Sequence, residues 1–190
     1  MIDATALVAT DTVLGSGSSV GPFAVVGADG PATPLVVGAD AVIRSHAVLY
    51  RGSRIGERFH AGHGALVRED CEIGDDVSVG SHSTVEFDVV LANGVRLHSG
   101  CFVPEHSVLE EGAWLGPGVI VTNSRYPARP DSKANLEGVR IGARAAIGAG
   151  AVLLPGITVG AGALVGAGTV VVRDVPEGAT VAGNPGRATR

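Results

Sequence analysis

Large aliphatic residues recur every six positions along most of the chain. The series runs from Ile2 to Val26, from Val37 to Val121 and from Ile141 to Val171. Of its 26 positions, 25 are Leu, Ile or Val, although only 50 of the 190 residues are of these types. A second series, four residues later in each hexad, is occupied mainly by Ala, Ser, Cys or Thr. The pattern therefore alternates one large and one small inward position within each repeat.

A period of six fits neither an α-helix nor a long flat strand. It fits a chain that makes one short strand and one corner in each hexad, so that three hexads close a triangular coil and positions three hexads apart stack. Hexapeptide repeats indicate a parallel β-helix, whose core is continuous only because the coils stack. We therefore predict an all-β fold of about ten coils, with residues 1–190 as a single domain. Phe59 and Ala61 break both series together, which predicts a local exchange of volume.

The repeat is interrupted twice. Extra residues around 30–34, rich in Pro and Gly, predict a small surface loop. A longer polar stretch, at about 123–138, separates Val121 from Ile141 and predicts an extruded loop. Such a loop costs chain entropy and adds no core, which indicates a functional role.

Composition narrows the class of protein. The net charge is −5 and no basic stripe is present, so a nucleic-acid partner is not expected. There is no apolar run long enough to span a bilayer and no leader at Met1, so we expect a cytoplasmic protein without a membrane partner. Cys71 and Cys101 both fall in the small inward position, which predicts two buried free thiols.

The flat sides of the predicted prism carry few charges. Residues 145–172 contain none at all. A smooth apolar face of this kind needs a cover, and self-association around a threefold axis suits a triangular prism.

Several segments are more specific than the repeat itself. They are GHGALVRE at 62–69, CEIGD at 71–75, LEEGAWLGP at 109–117, VTN at 121–123, RDVP at 173–176 and AGNP at 182–185. With these segments the chain resembles the left-handed parallel β-helix acyltransferases, also called hexapeptide-repeat transferases, and within them the branch that N-acetylates amino sugars or nucleotide-linked amino sugars. The resemblance implies a left-handed coil, a homotrimer, acetyl-CoA or another acyl-CoA as co-substrate, and active sites between subunits that take a small-molecule acceptor.

Acyl transfer to an amine needs a group that accepts the proton of the attacking nitrogen, a task for His or a carboxylate. None of the six histidines occupies an inward position. Stacking at three-hexad intervals places His98 between two glycines, in an open slot below the long loop, so His98 is our first candidate for the general base. His82, also between glycines, and His63, between two serines, follow.

The resemblance also implies a substrate site at the start of the long loop. Asn123 matches the family's active-site segment there, so we expect it to act in catalysis or substrate binding. Stacking places Glu105 one coil below Asn123, where it could orient an acceptor amine, and Glu86 is a weaker candidate in the neighbouring column.

For the donor, the resemblance implies that backbone groups near the small inward alanines of the last coils bind the pantetheine arm. The matching positions are Ala145 and Ala163, with Gly162 beside the latter. Arg173 and Arg187 are candidates for contacts with the phosphates of CoA. No metal site is expected.

Three alternatives remain open. A γ-carbonic-anhydrase-like trimer would share a zinc ion among histidines across an interface, but the expected pair of histidines five residues apart is missing. An O-acyl or acyl-carrier-protein-dependent transferase of the same fold is a second alternative. A non-catalytic scaffold trimer is the third.

Overall fold

The protein is a three-sided prism of short parallel strands, as described by a computed structural model of residues 1–189. Each side is a sheet to which each regular coil contributes one strand, so consecutive strands, apart from the last two, lie in different sheets. The expected parallel β-helix of hexapeptide repeats, with about ten coils and one extruded loop, is confirmed.

The three sheets are called face 1, face 2 and face 3. Face 1 contains β1 Leu7–Val8, β4 Val25–Ala28, β7 Val48–Tyr50, β10 Leu66–Val67, β13 Thr84–Val85, β16 Phe102–Val103, β19 Ile120–Val121, β22 Val152–Leu153 and β25 Val170–Val171. Face 2 contains β2 Val13–Leu14, β5 Val36–Val37, β8 Arg54–Ile55, β11 Glu72–Ile73, β14 Val90–Leu91, β17 Val108–Leu109, β20 Arg140–Ile141 and β23 Thr158–Val159. Face 3 contains β3 Ser19–Val20, β6 Val42–Ile43, β9 His60–Ala61, β12 Ser78–Val79, β15 Arg96–Leu97, β18 Trp114–Leu115, β21 Ala146–Ile147, β24 Leu164–Val165, β26 Thr180–Ala182 and β27 Arg187–Ala188.

Regular coils stack in a register of three hexads, as when Val85 pairs with Val103 on face 1. The register lengthens at the two predicted interruptions. Residues between β4 and β5 form the small loop, and the segment between β19 and β20 forms the long loop, with one 3₁₀ turn at Ser132–Asn135. Both interruptions lie where the sequence predicts them.

The core is a continuous stack of the inward aliphatic side chains, with the small side chains inside the corners. Phe59 is completely buried and Ala61 is 1% exposed, so the predicted exchange of volume is confirmed. Both cysteines are buried and free, as expected.

Several corners require a left-handed backbone conformation, which side chains with a Cβ adopt at a cost of roughly 1 kcal/mol or more. Many coils place Gly there, but His46, His82 and His106 adopt φ values of 60°, 56° and 63°. These three histidines are therefore held in conformations that glycine would adopt without strain.

The chain ends with a small antiparallel ribbon. Strand β26 continues face 3 by pairing with β24, and β27 then folds back against β26. Within residues 1–189, no helix combines the length and the apolar character needed to cross a bilayer.

Candidate active site

The predicted site residues lie on three different edges of the prism. Each edge is named by the two faces that it joins, in chain order. His63, His82 and His98 follow strands of face 3 and lie on edge 3/1; Glu86, Glu105 and Asn123 follow strands of face 1 and lie on edge 1/2; Ala145, Gly162 and Ala163 precede strands of face 3 and lie on edge 2/3. Within one subunit, the structure therefore separates the candidate bases from the candidate acceptor residues.

Asn123 and Glu105 form the best-defined polar contact on edge 1/2. The Asn123 amide nitrogen lies 2.6 Å from Glu105 Oε2, to which it donates, and both side chains are half-buried. The backbone carbonyl of Asn123 accepts a hydrogen bond from the Glu137 amide, which closes the base of the long loop. The predicted stacking of these two residues is confirmed, whereas their role in catalysis or binding stays a prediction.

Glu86 is already engaged in an ion pair one coil lower. Its Oε2 accepts from Arg68 Nη1 at 2.8 Å, while the same guanidinium makes two bonds to Glu69. The hydrogen bonds that Arg68 donates to these carboxylates, first to Glu86 and then to Glu69, raise the pKa of Arg68. The Arg68 guanidinium also lies 5.5 Å from the ring centroid of Phe87. Glu86 thus supports the edge rather than presenting a free carboxylate.

His98 is held from two sides on edge 3/1. Its ring meets the Trp114 ring edge-on, with the centroids 4.9 Å apart. Its backbone carbonyl accepts a hydrogen bond of 2.8 Å from Ser83 Oγ. The His98 ring is half-buried and packs against Trp114. The slot between two glycines is therefore less open than the sequence indicates.

The other two candidate bases are more exposed. His63 Nδ1 lies 2.8 Å from Ser45 Oγ, and its backbone amide donates to Ser81 Oγ, so the expected serine neighbours are confirmed. The His82 ring lies over Gly64, where a Cβ would come within 2.8 Å of His82 Nδ1. These contacts orient both rings without engaging a carboxylate.

His98 and Glu105 flank the same two-residue strand, β16, on opposite edges of face 1. They therefore lie at the same level of the prism, with Asn123 one coil above. His82 and Glu86 flank β13 in the same way. These two levels of face 1 thus carry a candidate base on one edge and a carboxylate on the other.

The long loop adds a cavity of about 260 Å³ next to Asn123. Its lining includes Tyr126, Arg129 and Asn135. The Arg129 guanidinium lies 4.1 Å from the centre of the Tyr126 ring, and the Asn135 amide donates to the backbone carbonyl of Asp131. The loop is therefore stabilised by contacts among its own residues and presents a polar pocket beside edge 1/2.

The three residues predicted to bind the pantetheine arm differ in exposure. Ala145 and Ala163 are buried; their N–H groups donate to glycine carbonyls in the same turn, and their carbonyls accept from the coil below. Gly162 is exposed on the same edge, and its N–H donates to Ala143. What remains for a ligand is the exposed surface of this edge and the second lone pairs of its carbonyl oxygens.

Arg173 and Arg187 come together at the end of the prism. Both line one cleft of about 200 Å³, because β27 folds back beside the turn that follows β25. Neither guanidinium forms a salt bridge within residues 1–189. The pair is therefore available for an anionic ligand.

Sequence reasoning missed several residues near the site: Arg44, Arg68, Ser83, Arg96 and Trp114. The stacking of successive coils could have identified three of them, because Arg68 lies one coil below Glu86 and Trp114 lies directly above Arg96 on face 3. The contact of Trp114 with His98 depends on side-chain rotamers, which spacing does not report. In the described part of the chain, no three His, Cys, Asp or Glu side chains are grouped so that they could hold a metal ion.

Comparison with known proteins agrees with this architecture. The family model "Bacterial transferase hexapeptide (six repeats)" matches residues 52–87 and 138–173. Nodulation protein L of Rhizobium meliloti is 39% identical over 132 residues, which is 66% of this chain and 67% of that protein. Serine acetyltransferase of Bacillus licheniformis is 33% identical over 141 residues, 73% of this chain and 46% of that enzyme.

A solved structure points the same way. The acetyltransferase domain of PglB from Neisseria gonorrhoeae, in complex with acetyl coenzyme A, superposes with a TM-score of 0.50 at 26% identity, covering 75% of this chain and 57% of that one. The chain spans about half to two thirds of the length of these proteins. The repeat, the fold and these matches together place the chain in the bacterial hexapeptide-repeat transferase family.

Proposed function

We propose that the protein is an acyltransferase that moves an acetyl or other short acyl group from acyl-CoA to an amine of an amino sugar or a nucleotide-linked amino sugar. Two of the similar proteins are acetyltransferases by name, and one was solved with acetyl coenzyme A, which supports acyl-CoA as the donor. The observation that carries the proposal is the placement of His98 and the Asn123–Glu105 pair on opposite edges of face 1.

Face 1 is the most apolar side of the prism. Eight of its nine strands begin with an outward-facing aliphatic or aromatic residue, and Thr84 is the exception. On face 2 the equivalent positions include Arg54, Glu72 and Arg140. An apolar surface of this kind supports self-association through face 1.

In a threefold trimer that buries face 1 around the axis, edge 3/1 of one subunit meets edge 1/2 of the next. His98 of one subunit then faces Glu105 and Asn123 of its neighbour, because both edges flank β16 at the same level. The trimer thus unites two groups that a single subunit keeps apart.

This arrangement supplies the chemistry of acyl transfer. The Glu105 carboxylate, fixed by Asn123, binds and orients the acceptor amine. His98 accepts the proton as the nitrogen attacks the thioester carbonyl carbon, the tetrahedral intermediate collapses, and the thiol of CoA leaves. A positioned base contributes about 10²- to 10⁴-fold to such a step.

The donor lies along the uncharged coils that follow the loop. The exposed surface at Gly162 accommodates the pantetheine arm, and the cleft that holds Arg173 and Arg187 accommodates the phosphates. The two arginines are not paired with carboxylates in residues 1–189, which supports this assignment.

The test is release of CoA thiol from acetyl-CoA in the presence of a panel of acceptors. The panel contains free amino sugars, nucleotide-linked amino sugars, amino acids and, because one relative is a serine acetyltransferase, hydroxyl acceptors including serine. The buried cysteines limit background reaction with the thiol reagent.

Product mass distinguishes N- from O-acetylation. Acetylation of an amino sugar nitrogen supports the proposal. Turnover confined to hydroxyl acceptors would assign an O-acetyltransferase instead, and no thiol release with any acceptor would contradict acyl transfer.

A further inference from the structure

A groove crosses face 3 and ends at His98. Two adjoining cavities of about 240 and 520 Å³ share His60, Ser78 and Arg96 in their lining. One end lies on edge 2/3, beside Asp40, and the other lies on edge 3/1, beside His98. The apolar face 1 is not part of this groove, so in the proposed trimer only the His98 end, on edge 3/1, meets the neighbouring subunit.

The two ends of the groove differ in charge. At edge 2/3, Arg58 is neutralised by a two-pronged bond to Asp76, with distances of 2.7 and 2.9 Å, and by Glu57 at 2.8 Å. These contacts, that of Asp76 first, raise the pKa of Arg58, and Arg58 in turn lowers the pKa of the Asp76 carboxyl. This end is therefore closed to a further anion.

At edge 3/1 the cations have no such partners. Arg44 and Arg96 form no salt bridge and donate no side-chain hydrogen bond within residues 1–189. His60 and His98 line the same cavity, and its lining contains no Asp or Glu. Arginine presents a planar fork that matches phosphate oxygens, so this end suits a phosphate group.

The floor of the groove is bare backbone. Arg44, Gly62, Gly80 and His98 form one column, and at about 4.8 Å per coil Arg44 lies roughly 14 Å from His98. A Cβ on Gly62 would lie 2.3 Å from the Ser81 nitrogen, and one on Gly80 would lie 2.4 Å from the His98 carbonyl carbon. Only glycine fits at these two positions, which leaves an open trench between the cation and the candidate base.

Trp114 borders the His98 end of the groove. It lies one coil above Arg96 in the same column and contacts the His98 ring. Its half-buried indole offers a flat apolar surface on which a sugar or a base can pack.

We propose that this groove binds the phosphate groups of a phosphorylated acceptor, a diphosphate-linked amino sugar, through Arg44 and Arg96, and so brings the acceptor amine to His98. This inference rests on the proposed function and narrows its substrate class. The separate arginine cleft at the end of the prism leaves the phosphates of CoA to Arg173 and Arg187.

Trp114 makes the test specific to the site, because it is the chain's single tryptophan. Its fluorescence is titrated with three probes: inorganic pyrophosphate, UDP and CoA. We expect pyrophosphate and UDP to change the Trp114 emission in a saturable way. Arg96→Gln and Arg44→Gln each weaken UDP binding at least about tenfold, the loss expected for a charge-assisted hydrogen bond.

Two further variants separate charge from geometry. Arg96→Lys retains the charge but not the fork, so it loses less affinity than Arg96→Gln. Arg54→Gln removes an arginine at the equivalent outward position of face 2 and leaves UDP binding unchanged. Calorimetric titration with CoA gives the same affinity for wild type, Arg44→Gln and Arg96→Gln, and thermal melting verifies that each variant is folded.

Three results would overturn the inference: no binding of UDP or pyrophosphate, an equal loss in Arg54→Gln, or a parallel loss of CoA affinity, which would assign the groove to the donor. These results are independent of turnover. If UDP binds but no acceptor gives thiol release, the proposed function is contradicted and the phosphate site in the groove is retained. If free amino sugars give thiol release that Arg96→Gln does not change, and UDP does not bind, acyl transfer is retained and the phosphate site is contradicted.

Discussion

The amide of Asn123 donates to the carboxylate of Glu105, one coil below, over 2.6 Å. The bond fixes the Glu105 side chain at the base of the long loop, where Asn123 also accepts from the Glu137 amide. A carboxylate held in this way is oriented before an acceptor arrives, which lowers the cost of binding it.

Replacing Glu105 by Gln therefore weakens acceptor binding. We expect the KM for the amine acceptor to rise about tenfold or more, because a bond to a charged group is lost, while the KM for acetyl-CoA is unchanged. Steady-state kinetics measure both constants. Glu72→Gln, at an exposed outward position of face 2, is the matched control, and an equal effect of the two variants would remove Glu105 from the acceptor site.

Removal of the His98 ring lowers turnover. We expect His98→Ala to reduce kcat at least about a hundredfold through loss of the general base, with the oligomeric state unchanged. Single-turnover acetyl transfer and light scattering measure the two properties. His46→Gly, on the same edge, retains wild-type turnover; full activity of His98→Ala would move the base elsewhere.

A charge on face 1 breaks the proposed trimer. Ile120 and Val90 have the same exposure, 38%, but Ile120 lies on face 1 and Val90 on face 2. Ile120→Asp places a carboxylate in the interface, so we expect monomers without activity, whereas Val90→Asp stays trimeric and active. Sedimentation velocity distinguishes these species, and a stable wild-type monomer at micromolar concentration would refute the assembly.

The buried thiols respond to alkaline pH. Desolvation raises the pKa of Cys71 from its ordinary 9.0 to about 11, so the folded state retains a proton that the unfolded chain releases. The stabilisation is complete below about pH 9 and is lost as the pH rises towards 11, by up to about 3 kcal/mol. Denaturant unfolding between pH 8 and about 11 should show a smaller loss in Cys71→Ala than in wild type; a residual loss is expected because burial also raises the pKa of Cys101.

Two serines at small inward positions, Ser107 and Ser83, differ in the hydrogen bonding of their hydroxyl groups. Ser107 Oγ is buried without a hydrogen-bond partner, whereas Ser83 Oγ donates to the His98 carbonyl and accepts from the Cys101 amide. We expect Ser107→Ala to stabilise the protein by about 1 kcal/mol and raise Tm by roughly 2–4 °C, and Ser83→Ala to lower it. Thermal melting of the two variants compares the same substitution in the same kind of slot; a fall in both would contradict the assignment.

Several polar contacts could be predicted from the spacing because backbone hydrogen bonds lock the coils at a constant register of three hexads. The pairs Asn123–Glu105, His63–Ser45 and His106–Asp88 all follow this rule. The Arg68–Glu86 ion pair follows it as well, since Arg68 lies three hexads before Glu86, so the register also indicates that this carboxylate is engaged rather than free.

The sequence by itself determined the prism, its two loops, the Phe59–Ala61 exchange and the vertical neighbours, because each depends only on local period and constant register. Two features depend on tertiary structure and not on the register. The ring of His98 packs against Trp114, and the terminal ribbon folds back so that Arg187 and Arg173 line one cleft. Rotamers and the path of a non-repeating tail depend on which surfaces happen to be available for packing. Those surfaces exist only once the coils have stacked.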